Sequence, residues 1–206
     1  YEVIEMFKKI SWKLIGISVI VTIIISNFVQ VGKSLDNLRE NVLRIHILAN
    51  SDSIADQSLK LKVRDAVLEH SQEIFGKSAT PEDFKNLSKE KLEKIREIAQ
   101  SVIDEYGFDY DIGVEETEMF FDERTYGDIT MPAGNYDALR VTIGDAEGHN
   151  WWCVMYPPLC IPMASEVTDD KDIEKEFFSG RELNMIQKPE KYEVRFMLWD
   201  KLKEIL

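Results

Sequence analysis

Two cysteines and three histidines are the residues of this sequence best suited to nucleophilic or metal chemistry. Cys153 could serve as a thiolate nucleophile if His149 or His46 lay beside it as the base, as in a Cys–His hydrolase. No two histidines are three or four residues apart, and the sequence has neither a C-x-x-C pair nor the G-x-S-x-G turn of serine hydrolases. We therefore expect no metal, no other cofactor and no catalytic residues, with an exported thiol hydrolase acting on cell wall as the alternative.

The same two thiols could instead form a disulfide bond. Cys153 and Cys160 are seven residues apart, and the prolines between them restrict the chain, so a reversal that brings the two sulfur atoms together is feasible. An exported location would permit the oxidation. The bridge would present a stiff turn made of Tyr156, Pro157, Pro158 and Leu159. The alternative is a pair of reduced, buried thiols.

Trp151 and Trp152 are candidates for a binding surface, because tryptophan is over-represented among the residues that dominate binding energy. Neighbouring residues of a strand point to opposite faces of a sheet, so the two rings cannot enter one core. One ring would pack inside, and the other would meet a partner or a membrane surface. The simpler alternative is that the helix carrying Trp199 covers it.

A second candidate surface is the segment NSDSIADQSLKLKVRD, residues 50–65, which is more polar than a core helix needs to be. Its helix N-terminus could bind an anion, and Asp56 and Lys60 have the spacing of an ion pair on a solvated face. The alternative is that these side chains cap the helix and hold neighbouring loops. The candidate residues are Asn50, Ser51, Asp52, Asp56, Gln57, Lys60 and Arg64.

The elements that must position these residues begin with a strand and a helix. Residues 43–49 alternate apolar and polar side chains, which predicts a half-buried strand. Ser53 with Asp56 three residues later resembles a capping box that opens a helix. Apolar residues then recur at helical spacing until Gly76, the expected C-terminal stop.

The rest of the body completes an α+β pattern. A second helix is predicted from Thr80, with Pro81 in its first position, to Gly107. Residues 108–156 change to a period of two, which predicts an antiparallel β-meander of three or four strands. Residues 192–206 have the period of a C-terminal helix. The predicted fold class is therefore α+β: a membrane helix, a strand, two helices, a meander and a last helix.

Residues 14–31, LIGISVIVTIIISNFVQV, contain no charged side chain and are just long enough to cross a bilayer. Lysines precede this run, which indicates a cytoplasmic N-terminus and an exported body. We expect an uncleaved anchor, because a clean A-x-A site is missing, with a cleaved signal peptide and a buried core helix as the alternatives. The predicted divisions are 1–33 signal anchor, 34–41 linker, 42–163 domain, and 164–206 acidic segment and C-terminal helix.

The net charge of −13 is unevenly distributed along the chain. Residues 1–33 carry a net charge of +2, so the remainder carries −15. An acidic body argues against binding nucleic acid, which requires clustered lysine and arginine, and against electrostatic attraction of the body to anionic lipid.

Two blocks of the sequence together resemble the stage II sporulation protein R family of endospore-forming Firmicutes. The first is RIHILANSDSIADQSLKLKVRDAVL, residues 44–68, and the second is MPAGNYDALRVTIGDAEGHNWWCVMYPPLC, residues 131–160. The most specific part is NWWCV followed by PPLC. The resemblance covers roughly residues 42–162, well over half of the chain, and we find no resemblance for the tail after residue 164.

The resemblance implies a signalling protein rather than an enzyme. Proteins of this family are made in the forespore and exported toward the space between the forespore and mother-cell membranes. There they are needed to activate a membrane-embedded aspartic protease of the mother-cell membrane, which processes pro-sigma E. We expect residues 150–160 and 50–65 to be the working surfaces. A structural spore component is a further alternative.

Overall fold

The computed structural model describes residues 2–76, 81–85, 87–157 and 178–205, and side chains within these ranges other than those of 2–11, 81 and 82. Helix α1 (Glu2–Glu40) is the first element. Its Trp12–Glu40 part is the one helix, among the residues described, that is long and apolar enough to cross a membrane. Residues 12–27 of this helix are exposed, so they are not part of a core formed by the described residues.

The predicted linker at 34–41 is wrong, because residues 34–40 are the last turns of α1. Leu35 and Leu38 in these turns are buried, as is Val31 in the turn before them. They recur at helical spacing, and Val42 continues the stripe into the first strand. A polar composition hid this stripe, and the helix packs directly on the body instead of leading to it through a flexible segment.

Helices α2 (Ile54–Glu69), α3 (Ser71–Phe75) and α4 (Lys89–Glu105) cover one face of the sheet. The predicted start of α2 is confirmed, because the Ser53 hydroxyl accepts the backbone N–H of Asp56 at 3.0 Å. The predicted cap at Thr80 lies outside the described residues. Pro81 opens a short 3₁₀ turn (Pro81–Phe84), and α4 begins later, where Ser88 provides the N-cap.

The described residues form six strands, whose order in the sheet is not that of a meander. They are β1 (Leu43–Leu48), β2 (Ile112–Phe121), β3 (Arg124–Tyr126), β4 (Ile129–Met131), β5 (Gly134–Ile143) and β6 (Asn150–Tyr156). The main sheet has the order β2-β5-β1-β6, with β1 parallel to β5 and the other pairs antiparallel, while β3 and β4 form a separate hairpin.

Strand β1 therefore lies between β5 and β6, which are consecutive in the chain. The predicted alternation treats β1 as half-buried, yet Leu43 through Ile47 are all buried, on both faces. A strand buried on both faces belongs in the middle of a sheet. The α+β class is confirmed, and the antiparallel meander is replaced by a mixed sheet.

Each face of the sheet has its own core. Ile45, Ile47 and Val141 pack under α2 and α4, whereas Phe121 and Tyr136 face the opposite side. That opposite side is covered by the end of α1 and by α5 (Gly180–Gln187), and α6 (Glu193–Ile205) packs against α1, following a 3₁₀ turn (Pro189–Lys191). A third, small cluster joins α1 to these helices through Val31, Leu35, Met185 and Phe196.

Arg44 is fully buried on this second face, inside a cage of aromatic rings. Its guanidinium carbon lies 4.3 Å from the ring centre of Phe121 and 5.1 Å from that of Tyr136. Its Nη2 donates a 2.8 Å hydrogen bond to the hydroxyl of Tyr126. Burial lowers the pKa of Arg44 from its ordinary value. Cation–π contacts thus replace the carboxylate that a buried arginine usually has.

Candidate interaction surface

Asp56, in the first turn of α2, is the centre of a hydrogen-bond network. Its carboxylate accepts hydrogen bonds from Ser51 Oγ at 2.5 Å, Asn50 Nδ2 at 3.1 Å and the Tyr110 hydroxyl at 3.2 Å. Burial alone would raise the pKa of Asp56, but the hydrogen bonds from Ser51, Asn50 and Tyr110 outweigh burial and hold that pKa below its ordinary value. The carboxylate therefore fixes the loop between β1 and α2.

Lys60, one turn further along α2, is also a buried residue. Its Nζ donates to Gln57 Oε1 at 2.6 Å and to the backbone carbonyl of His149 at 2.8 Å. Burial lowers the pKa of Lys60. The ion pair expected between Asp56 and Lys60 is wrong, because each of these groups is directed to different partners.

The β5–β6 turn, residues 144–149, is held against the same loop by its backbone. Asn50 Oδ1 accepts the N–H of Asp145 at 3.0 Å, and the N–H of Gly148 bonds to the carbonyl of Ala49 at 2.9 Å. A Cβ added at Gly148 would collide with the backbone of Ser51, so the contact requires glycine. We call these groups, residues 50–60 with the turn 144–149, the loop network.

The outer rim of the loop network is exposed. Asp52 and His149 both face solvent, and Asp52 Oδ1 accepts the backbone N–H of His149 at 2.6 Å and contacts His149 Nδ1 at 2.5 Å. The hydrogen bonds with His149 lower the pKa of Asp52. The candidate residues of the 50–65 segment thus divide into an inner set that holds loops and an outer set available for contact.

Trp151 lies beside the loop network, on the helix-covered face of the sheet. Its ring is half-buried and stacks under Arg64, whose guanidinium carbon is 5.0 Å from the ring centre. Arg64 is one turn beyond Lys60 on α2, so the same helix holds the turn and orients the ring. The two candidate surfaces predicted from the sequence meet at this point.

Trp152 points to the opposite face, as the alternation of a strand requires. Its ring meets Phe121 edge to face, with ring centres 4.7 Å apart, and lies 4.6 Å from the ring of His46. Trp152 is therefore a packing residue of the second core. Trp199 itself contacts Phe28 of α1, and the main contacts of its helix are with α1 and the preceding 3₁₀ turn, not with β6.

The turn expected to project beyond β6 begins with buried residues. Tyr156 stacks on Phe84 with ring centres 4.0 Å apart, and Pro157 is also buried. Pro158, Leu159 and Cys160 lie outside the described residues. Cys153 is buried and is not a free thiol, and its bridge to Cys160 stays a prediction.

The geometry of a Cys–His hydrolase is not assembled by Cys153 and His46. On the paired strands, Cys153 lies opposite Ile45 and Trp152 lies opposite His46, so the thiol and this imidazole are on opposite faces of the sheet. His149 is exposed and bonded to Asp52. Within the part of the chain that the structure describes, no group of three His, Cys, Asp or Glu side chains is placed to hold a metal ion.

A cleft of about 460 Å³ lies at the other end of β5, between α1, α6 and β2. Half of its lining residues are acidic, Asp36, Glu118 and Asp137 among them, and Arg39 pairs with Asp200 at 2.7 Å. No sequence signal pointed to this cleft, because its residues come from four elements far apart in the chain.

Comparisons with known proteins find similarity over the central part of the chain. The family model described as stage II sporulation protein R matches residues 39–166. The stage II sporulation protein R of Bacillus subtilis (strain 168) is 37% identical over 121 residues, which are 59% of this chain and 54% of that relative. The chain thus spans about half the length of the curated relative it matches, and no solved structure matches it. The chain belongs to the stage II sporulation protein R family.

Proposed function

We propose that this chain is an exported sporulation signal that passes from the forespore to the mother cell and acts by binding rather than by catalysis. Its receptor would be the membrane-embedded aspartic protease of the mother-cell membrane that processes pro-sigma E. Family membership, an N-terminal helix able to cross a membrane and an acidic body support this proposal. The body would lie in the space between the forespore and mother-cell membranes.

The observation that carries the proposal is the half-exposed stack of Trp151 and Arg64 beside the loop network. Tryptophan and arginine are the residue types that most often dominate binding energy, and they do so when their neighbours hold them still. Lys60 and Asp56 fix the surrounding loops, so little conformational entropy remains to be lost on binding. A ligand of this kind activates a receptor if it binds the active form more tightly than the inactive one.

The proposed contact surface consists of the exposed or half-exposed residues around this stack. Three of the residues predicted from the sequence belong to this surface: Trp151, Arg64 and Asp52. His149 and the outer edge of Asn150 complete it. The inner residues Asn50, Ser51, Asp56, Gln57 and Lys60 would act indirectly, through the position of the 144–149 turn. Trp152, Tyr156 and Pro157 would contribute to folding instead of contact.

The test is processing of pro-sigma E in cells that produce the protease, its substrate and variants of this chain. Trp151→Ala should abolish or strongly reduce processing while the circular dichroism spectrum and melting temperature stay close to those of the parent protein. Arg64→Lys should give an intermediate loss, because it keeps the charge but not the flat surface that stacks on the ring.

Leu61→Ala is the matched control, because Leu61 is an exposed apolar residue of the same helix that lies outside the proposed surface. Normal processing by a folded Trp151→Ala variant would remove the stack from the interface and contradict the proposal.

The exported thiol hydrolase makes a different prediction for the two cysteines. Cys153→Ser and Cys160→Ser should affect processing equally if a disulfide matters only for folding. Loss of function in Cys153→Ser alone would favour the enzyme and count against a signal that acts by binding.

We also propose that residues 14–31 stay attached as an anchor. Support comes from the way α1 continues without a break into the body, where Leu35 and Leu38 are buried. The expected result is a protein that remains in the membrane fraction after alkaline washing and keeps residues 14–31 when its intact mass is measured. A shortened, soluble product would show cleavage.

A further inference from the structure

Helix α6 has a row of apolar side chains that face away from the protein. Val194, Met197, Leu198, Leu202 and Ile205 are all exposed, at 66%, 52%, 47%, 38% and 81% of their surfaces. Their spacing of three or four residues puts them on one side of the helix. We call this row the α6 stripe. A soluble surface rarely carries such a continuous apolar strip without a contact that covers it.

The other side of α6 is fastened to the end of α1. The ring of Trp199 meets that of Phe28 at 5.7 Å, and its Nε1 donates a 3.0 Å hydrogen bond to Asp36. A Cβ added at Gly32 would overlap the Trp199 ring, so the two helices touch at this residue. Arg39 and Asp200 close the contact one turn further along with a 2.7 Å ion pair.

This contact sets the position of α6 along the axis of α1, and therefore its distance from the apolar segment. Residues 14–31 extend for about 27 Å as a helix, close to the thickness of the hydrocarbon core. Phe28 and Gly32 are therefore at the exported border of the membrane when this segment spans it. Trp199 then lies at the depth where tryptophan is enriched in membrane proteins.

The charge of this region differs from that of the acidic body. Residues 180–205 contain six Lys or Arg and five Asp or Glu, so the region is close to neutral. The repulsion that keeps the rest of the body from anionic lipid is thus absent here. The contact available to α6 is therefore apolar, of the kind that amphipathic helices make with the membrane interface.

We propose that the α6 stripe lies in the outer interface of the same membrane that α1 crosses, with its side chains in contact with lipid. The proposal rests on the retention of α1 in the membrane. With two attachments, the body would be held against the bilayer by α6 as well as suspended from α1.

The test uses the full chain reconstituted in phosphatidylcholine vesicles that contain a phospholipid with a photoactivatable diazirine in its acyl chain. After irradiation, mass spectrometry should find lipid adducts both on residues 14–31 and on residues 194–205. Ile54 and Leu61 are exposed apolar residues of the body and should carry none. Adducts on α1 without adducts on α6 would overturn the proposal.

A double variant separates lipid contact from helix docking. Met197→Gln with Leu202→Gln should lose the α6 adducts while the α1 adducts and the circular dichroism spectrum are retained. Ile54→Gln with Leu61→Gln is the matched control and should leave the labelling of α6 unchanged.

The labelling experiment tests the anchor in α1 and the lipid contact of α6 separately. Absence of adducts on α1 would refute the anchor itself and the position of α6 with it, whereas the signalling test above would be unaffected. Crosslinks between the α6 helices of two chains, with no lipid adducts on either, would make the stripe a protein interface and refute the proposal.

Discussion

The ammonium group of Lys60 donates a 2.8 Å hydrogen bond to the backbone carbonyl of His149, 89 residues later in the chain. Both groups lie at a partly buried junction between α2 and the β5–β6 turn. Among the described residues Lys60 has no ion pair with a carboxylate, so carbonyl and amide oxygens carry the interaction. The contact makes the turn and the helix one unit and places Trp151 next to Arg64.

Lys60→Met should destabilise the protein, because it removes the donor that serves both the carbonyl of His149 and Gln57 Oε1. The cost is expected to be about 2 kcal/mol, measured as the free energy of unfolding in urea. Residues 144–149 should also become more sensitive to proteases. Lys62→Met is the matched control, since Lys62 is exposed on the same helix and should change stability by less than about 0.5 kcal/mol. Equal effects of the two variants would mean that the hydrogen bond contributes little.

His46 should make the protein sensitive to mild acid. Burial, with a smaller effect of the nearby Arg140 charge, lowers the pKa of His46 from 6.5 to about 4. The unfolded chain therefore takes up a proton near pH 6.5 and the folded chain only near pH 4, so stability falls as the pH drops through this interval. The loss attributable to His46 should reach about 3 kcal/mol.

His46→Phe should remove this part of the pH dependence. It keeps a ring against Trp152, and at pH 8 it should be neutral or stabilising, because both ring nitrogens of His46 are buried without a hydrogen-bond partner among the described residues. The measurement is urea unfolding at pH 8, 6 and 4.5. A variant that loses as much stability on acidification as the parent protein would contradict the assignment.

Arg44 should be replaceable by a neutral side chain but not by lysine. Its Nε and Nη1 are buried without hydrogen-bond partners within the described ranges, so the charge is only partly compensated by the aromatic cage. Arg44→Met fills a similar volume without a buried charge, and its stability should be within about 1 kcal/mol of the parent protein. Arg44→Lys keeps the charge, loses the flat stacking group and should cost more than about 2 kcal/mol. The reverse order in thermal unfolding would contradict this prediction, because it would show that the cage depends on a positive charge and not on the flat guanidinium group.

Gly32→Ala should loosen the docking of α6, because the added methyl group overlaps the ring of Trp199. Overpacking of this kind costs about 1–3 kcal/mol. Hydrogen exchange should accelerate in residues 193–205 and stay unchanged in α2. Gly16→Ala is an exact chemical match on the same helix, where a Cβ would meet nothing. Unchanged exchange in α6 after Gly32→Ala would show that the helices are not held together at this position.

The local features of the fold were predictable where neighbouring residues decide them. Ser53 caps α2 as expected, and the period-two residues from Ile112 onward form a strand. The position of β1 between β5 and β6 could not be derived, because it depends on pairs such as Ile45 with Leu139 and with Cys153, about a hundred residues apart. The helical end of α1 was readable in principle, from the spacing of its buried apolar residues.

The sequence identified residues of the candidate site but not the interactions that each of them makes. The 50–65 segment and Trp151 do meet, but sequence spacing placed Asp56 and Lys60 in an ion pair that they do not form. Tyr110, which completes the environment of Asp56, had no signal beyond its alternating apolar pattern. Partner choice among buried polar groups is set by tertiary contacts, which spacing along a helix does not report.

Helix α1 passes from its apolar segment into the core without a joint, and this limits how the domain can move. If that segment is anchored in a bilayer, as proposed, the sheet would follow the height and tilt of the helix while the chain diffuses laterally and rotates about the helix axis. The proposed receptor in a facing membrane would then meet Trp151 at a set distance from the lipid. Such a search takes place in two dimensions, so few molecules give a high effective concentration.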